Sequence, residues 1–153
     1  MSELEDRLQH DLTTAIRSRD EVAAATLRMA LTAVKNQSVA GTEAKELTDD
    51  EVVLVLGREA KKRRESAQAY DDAKRADLAD RERAELVVLA GYLPAPLSDD
   101  ELAGLVTTAI ADAGVGAGEG MRGMGAVMKV LTPRVAGRAD GSRVAAAVKA
   151  ALA

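Results

Sequence analysis

The spacing of apolar residues constrains this chain most, because they recur at intervals of three and four and never alternate strictly with polar ones. One such stripe consists of Leu4, Leu8, Leu12, Ala15 and Ile16. About a fifth of the residues are alanine, which has the highest intrinsic helix propensity. The sequence therefore predicts an all-α protein and gives almost no support for strands.

Several residue types that often build functional sites are scarce or missing. The 153 residues include no cysteine, one histidine (His10) and two tyrosines as the only aromatics. This excludes a disulfide scaffold, a cysteine nucleophile, a cysteine-ligated metal and a multi-histidine metal site. It also disfavours RNA-recognition-motif and OB-type folds, which stack bases on aromatic side chains.

A pair of prolines divides the chain. Pro94 and Pro96 favour an extended segment, and a helix capping box follows at Ser98. We expect a four-helix lobe over residues 1–93 and a smaller three-helix lobe over residues 94–153.

Two helices of the first lobe can be placed in more detail. Thr48 and Glu51 have the spacing of a capping box, which predicts a long third helix from Val52 to about Arg75. One side of the second is predicted to carry Val22, Thr26, Met29, Ala30, Ala33 and Val34.

The N terminus and the apolar runs predict a cytoplasmic protein without membrane attachment. No apolar run approaches the roughly 20 residues that span a bilayer. The first residues are acidic, whereas a secretory signal begins with basic ones.

Positive charge is concentrated in two stretches, although the net charge of −4 argues against a protein that coats nucleic acid indiscriminately. The third helix carries Lys61, Lys62 and Arg64. These residues either form a solvated face balanced by neighbouring glutamates or contact phosphates. The C-terminal candidates for phosphate contact are Arg122, Lys129, Arg134, Arg138, Arg143 and Lys149.

Arg63 is the exception in the basic cluster, because helical projection puts it at the apolar edge. Glu82 and Glu85 project to one side of the fourth helix. We therefore predict a structural ion pair between Arg63 and one of these two carboxylates. A two-metal site would need four carboxylates and usually histidines, so no metal, cofactor or catalytic residue is assigned.

Glycines crowd residues 116–125, ahead of a helix that carries Met124 and Met128. The free N–H groups at a helix N terminus can receive an anion. The stretch is not a P-loop, because no Gly-Lys-Ser/Thr sequence follows it. Close contact between helices is the second interpretation.

Eight short fragments of the sequence carry a family resemblance. They are Leu27-Arg28, Lys35-Asn36, Lys61-x-Arg63-x-x-Ser66, Arg75-x-Asp77-Leu78, Glu82-x-x-Glu85-Leu86, Tyr92-Leu93-Pro94, Met124-Gly125-x-x-Met128 and Gly137-Arg138-x-Asp140-Gly141. Together, their order and spacing resemble the GatB/YqeY family over nearly the whole chain.

The resemblance is to stand-alone YqeY-like proteins, whose fold is similar to the helical C-terminal tail of the B subunit of glutamine-dependent tRNA amidotransferase. That tail touches tRNA, while amide transfer uses a separate kinase and transferase domain. The resemblance thus implies a tRNA-associated binding module without its own active site. Its implied partners are tRNA and amidotransferase or other translation-related proteins. Two alternatives stay open: an accessory component of a carbon–nitrogen ligase with glutamine as amido donor, and a protein-interaction adaptor.

Overall fold

The computed structural model describes residues 1–116 and 118–153, and their regular secondary structure is entirely helical. The all-α prediction is therefore confirmed. The α-helices of this described part are α1 (Glu3–Arg17), α2 (Glu21–Ser38), α3 (Asp49–Asp72), α4 (Ala76–Ala90), α5 (Asp99–Asp112), α6 (Met124–Val135) and α7 (Gly141–Leu152), with a 3-10 helix at Gly120–Gly123.

Side-chain caps fix where several helices begin. At the start of α3, Glu51 N donates to Thr48 Oγ1 over 3.2 Å, while Thr48 N donates to Glu51 Oε2 over 2.9 Å. Ser98 and Glu101 form the same reciprocal pair ahead of α5. Each capping box satisfies backbone donors that the first helical turn would otherwise leave unpaired.

The chain divides into two compact units, Met1–Leu93 and Pro94–Ala153. In the first unit, α1 to α4 enclose an aliphatic core. Around this core α3 packs against α4, and α1 packs against α2. The largest fully buried side chains of this core are Leu8, Leu27, Val34, Val52, Leu56 and Leu89. Aliphatic side chains thus supply this core without any phenylalanine or tryptophan.

Tyr92 joins the chain after α4 to α1. Its hydroxyl donates to Asp11 Oδ2 over 2.5 Å, and the guanidinium carbon of Arg7 lies 4.6 Å from the ring centroid. Arg7 Nη2 also donates to the carbonyl of Gly91 over 3.2 Å. Burial and the bond to Asp11 raise the pKa of the Tyr92 phenol, so the hydroxyl stays a donor at neutral pH.

The exposed side of α2 differs from the sequence prediction. Thr26, Ala30 and Val34 are buried as one side of the helix requires, but Val22 is 39% and Met29 50% exposed. Leu27, which is 2% exposed, enters the core instead. The helix is rotated so that this leucine is buried, which moves the Val22 and Met29 side towards solvent.

The third helix ends earlier than predicted. It stops at Asp72 rather than near Arg75, because Lys74 adopts a left-handed backbone conformation with φ of 59°. Arg75 N then donates to the carbonyl of Tyr70 over 2.8 Å. This closes the helix without the glycine that usually marks such an end.

The second unit is a three-helix bundle, in which α5, α6 and α7 all contact one another. Val106, Val127, Leu131 and Val148 are at most 1% exposed in its core. Leu97 is also buried, and its N–H donates to the carbonyl of Arg138 over 2.9 Å. The segment after the prolines therefore belongs to this bundle.

None of the helices in the described part of the chain is both long enough and apolar enough to cross a membrane.

Candidate nucleic-acid interface

Arg63 is buried on α3 with 4% of its surface exposed. Its Nη1 donates to the backbone oxygen and to Oε2 of Glu59, both over 3.0 Å. Nε donates to Glu85 Oε2 over 3.2 Å, and Nη2 lies 3.6 Å from Met29 Sδ. The guanidinium is therefore engaged within its own unit, which makes Arg63 a structural residue rather than a phosphate ligand.

Of the two carboxylates predicted to meet Arg63, the structure brings Glu85 to it. Within the described residues no hydrogen bond or ion pair joins Glu82 to Arg63. Burial and the charge of Glu85 raise the pKa of Glu82, against the opposing positive charges of Arg63 and Arg81. Within residues 1–116 and 118–153, no group of three or more histidine, aspartate or glutamate side chains is arranged to hold a metal ion.

Glu59 is a partner of Arg63 that sequence reasoning missed. Burial works to raise the pKa of its carboxyl, but hydrogen bonds from Arg63 and Lys62 outweigh burial and lower it. The signal was available, because Glu59 precedes Arg63 by four residues and such pairs meet on a helix.

The exposed basic residues of α3 are partly neutralised. Lys61 Nζ lies 4.0 Å from Glu65 Oε1, and Lys62 Nζ lies 3.1 Å from Glu59 Oε1. Arg64 is exposed, and within the described residues its side chain has no ion-pair or hydrogen-bond partner. The solvated-face interpretation thus accounts for the two lysines and leaves Arg64 open to an external anion.

Three of the six C-terminal candidates are committed to acidic side chains of α5 or its start. These ion pairs are Arg134 with Asp112 at 2.7 Å, Arg138 with Glu101 at 3.6 Å and Arg143 with Asp99 at 2.7 Å. Arg138 Nε also donates to the carbonyl of Ala95 over 3.0 Å. Arg134 on α6, Arg138 in the connection between α6 and α7, and Arg143 on α7 each link that part of the bundle to α5.

The other three C-terminal candidates have exposed charges. Arg122 lies in the 3-10 helix, Lys129 on α6 and Lys149 on α7. Among residues 1–116 and 118–153 no carboxylate pairs with any of them. These three are the basic side chains of the second unit that have no direct ion-pair partner in the described structure. The unit as a whole is balanced, since residues 94–153 contain six basic and six acidic side chains.

The glycine-rich stretch supports close contact more than anion binding. Gly116 N donates to Glu119 Oε1 over 3.3 Å, so an acidic side chain of the chain itself occupies that donor. A Cβ on buried Gly123 would lie 2.3 Å from Val115 Cγ1. Ala117, which is part of this stretch, lies outside the described residues.

The described residues form an all-helical protein of two compact units, and the second unit presents three exposed cations without a direct ion-pair partner. The family of YqeY-like proteins matches residues 5–152. The chain belongs to this family.

Two fungal proteins are similar to this chain, and both are named "altered inheritance of mitochondria protein 41, mitochondrial". The protein from Pyrenophora tritici-repentis is 34% identical over 137 residues, which are 87% of this chain and 71% of the relative. The protein from Clavispora lusitaniae is 32% identical over 95 residues, which are 61% of this chain and 54% of the relative.

Proposed function

We propose that this protein is a tRNA-associated binding module without an active site of its own, related to the tail of glutamine-dependent tRNA amidotransferase. The observation that carries the proposal is that Arg122, Lys129 and Lys149 are exposed and have no ion-pair partner among the described residues, whereas the other arginines of this unit pair with acidic side chains. A fourth candidate for phosphate contact is Arg64, which lies on α3 in the first unit.

Phosphate contacts are the recognition chemistry that these residues offer. The two tyrosines are the only aromatics, so base stacking contributes little. Affinity therefore depends on displaced counterions and decreases with salt, by roughly one unit of log-log slope or less for each phosphate contact. The net charge of −4 opposes indiscriminate binding to polyanions. A folded RNA is therefore favoured, because it can place several phosphates near these cations at once.

Amidotransferase and other translation-related proteins are the protein partners that accompany this proposal. In the accessory-ligase alternative, the chain would supply contacts to tRNA while another subunit performs amide transfer. The cytoplasmic location expected from the acidic N terminus stays a prediction.

A titration at low salt tests the proposal. The full chain is titrated with tRNA and with duplex DNA near 50 mM salt, and tRNA is expected to bind more tightly. A variant with Arg122→Gln, Lys129→Gln and Lys149→Gln should lose most of this affinity. The charge-matched control carries Arg17→Gln, Arg19→Gln and Lys74→Gln, all on exposed residues of the first unit. Absence of tRNA binding at this salt concentration, or an equal loss in both variants, would refute the proposal.

A further inference from the structure

Apolar side chains are exposed along α2 although the core of the first unit lies on the other side of this helix. Val22, Met29 and Val39, the residue that caps the C terminus of α2, are 39%, 50% and 50% exposed. Val22 and Met29 are seven residues apart, so they lie on the same side of the helix. The half-buried Ala25, three residues after Val22 and four before Met29, lies between them on this side. Clustered exposure of this kind marks interaction surfaces more often than single exposed residues do.

Unpaired positive charges border this strip. Arg28 and Lys35 are exposed, also seven residues apart, and within the described residues neither side chain has an acidic partner. On the side of α3, Arg58 Nη2 donates to Gln37 Oε1 over 3.0 Å. Glu59 on α3 is already paired with Arg63 and Lys62. Glu21 is an exposed acid in the same row, seven residues before Arg28, so the positive charge beside the strip exceeds the negative charge of this row by one.

We propose that the exposed side of α2, formed by Val22, Arg28, Met29, Lys35 and Val39 and called here the α2 surface, docks an acidic amphipathic helix of a partner protein. The apolar strip matches the apolar face of such a helix, and Met29 can adapt its shape to different side chains. Arg28 and Lys35 complement the acidic flank of the helix. The proposal does not depend on tRNA binding by the second unit.

An RNA ligand fits the α2 surface less well than a helix does. RNA phosphates would contact Arg28 and Lys35. They form no favourable contact with Val22, Met29 and Val39, which would either stay exposed to water or be covered by polar groups of the RNA. An acidic amphipathic helix uses both parts of the surface. The apolar side chains therefore discriminate between the two classes of ligand.

A displayed library of helical peptides tests this proposal. Peptides of about 15 residues, near the length at which isolated helices become populated, are selected on the full-length chain. Counter-selection uses a variant with Val22→Ser and Lys35→Gln. The enriched peptides are expected to be acidic, with apolar residues at intervals of three and four.

The selected peptide with the highest affinity is then synthesised and titrated against single variants. Val22→Ser, Met29→Ser and Lys35→Gln should each weaken its binding roughly tenfold. Met121→Ser and Lys129→Gln are the matched controls, because Met121 is 48% exposed and Lys129 is an exposed, unpaired cation in the second unit. These controls should change the affinity less than twofold. Val22 has no contact with Arg63 among the described bonds, so Val22→Ser keeps the test valid even if Met29→Ser disturbs that network.

Three results would overturn the proposal. The first is a selection that yields basic peptides, peptides without helical apolar spacing, or no binder that depends on the α2 surface. The second is an affinity that the α2 variants and the controls change equally. The third is displacement of the peptide by tRNA together with loss of tRNA binding in Lys35→Gln, which would assign the α2 surface to RNA.

Discussion

Arg63 Nε and Glu85 Oε2 lie 3.2 Å apart, and this buried ion pair links α3 to α4. Arg63→Ala would leave Glu85 and Glu59 without their buried cation and would also remove the packing of the arginine stem. Loss of one member of a buried pair costs about 3–5 kcal/mol. We expect a corresponding decrease in the free energy of unfolding, measured by denaturant titration.

Lys62→Ala is the matched control for this change. Lys62 is a neighbouring cation on α3 that also pairs with Glu59, but its side chain is 71% exposed. An exposed pair of this kind contributes less than about 1 kcal/mol. Equal and small effects of the two substitutions would show that the buried pair does not stabilise the unit.

Glu82→Gln should stabilise the protein at neutral pH. Burial and the charge of Glu85 raise the pKa of Glu82 above its usual 4.5, so the folded state favours the protonated form. The stability that this protonation contributes is fully present below pH 4.5 and is lost as the pH rises through the raised pKa.

The glutamine side chain is neutral at every pH. The stabilisation by Glu82→Gln should therefore be present at pH 7, where Glu82 is charged, and should disappear near pH 4. Because the side chain is partly solvated, we expect less than about 1 kcal/mol. Thermal unfolding of both proteins across this pH range measures the difference. A gap between the two proteins that is the same at both ends of the range would contradict the raised pKa.

Gly123→Ala should destabilise the second unit. The new Cβ would lie 2.3 Å from Val115 Cγ1 and 3.2 Å from Val115 Cβ, so the valine or the backbone must shift. Overpacking of this kind typically costs about 1–3 kcal/mol.

Gly125→Ala provides the opposite control, because nothing lies within 4 Å of a Cβ built there. Gly125 lies in α6, where alanine is favoured over glycine by up to about 1 kcal/mol. Thermal unfolding should therefore give melting temperatures that move in opposite directions. A decrease of the same size in both variants would show that the stretch requires glycine for another reason.

Lys149→Gln should weaken tRNA binding without lowering the melting temperature, since Lys149 is exposed and unpaired in the described structure. The slope of log affinity against log salt should decrease by about one unit or less. The double variant Arg143→Gln, Asp99→Asn removes the ion pair of these two residues without changing the net charge. Its slope should equal that of the unmodified protein, and a decrease as large as that of Lys149→Gln would mean that Arg143 contacts phosphate despite its partner.

Local sequence signals predicted the helices and their caps well, because the groups involved are close in the chain. Thr48 and Glu51 are three residues apart, and their spacing alone indicates the start of α3. The burial of Arg63 followed from helical projection for the same reason.

Features that depend on neighbouring helices were harder to predict. The preference for Glu85 over Glu82 as the partner of Arg63 is set by the rotation of α4 against α3. The outward position of Met29 was missed because two apolar stripes compete on α2, and only packing decides that Leu27 is buried. The turn at Lys74 has a positive φ without glycine, so no residue type at this point indicates the end of the helix.

Every core residue that the structure describes for the first unit precedes Pro94. On a ribosome the N-terminal part of a chain emerges first, and domains generally fold as units during synthesis. The four helices α1 to α4 therefore have every core side chain they need before α5 is translated. The core of the bundle of α5 to α7 includes Val144 and Val148 of α7, so this bundle completes its packing only when translation reaches α7.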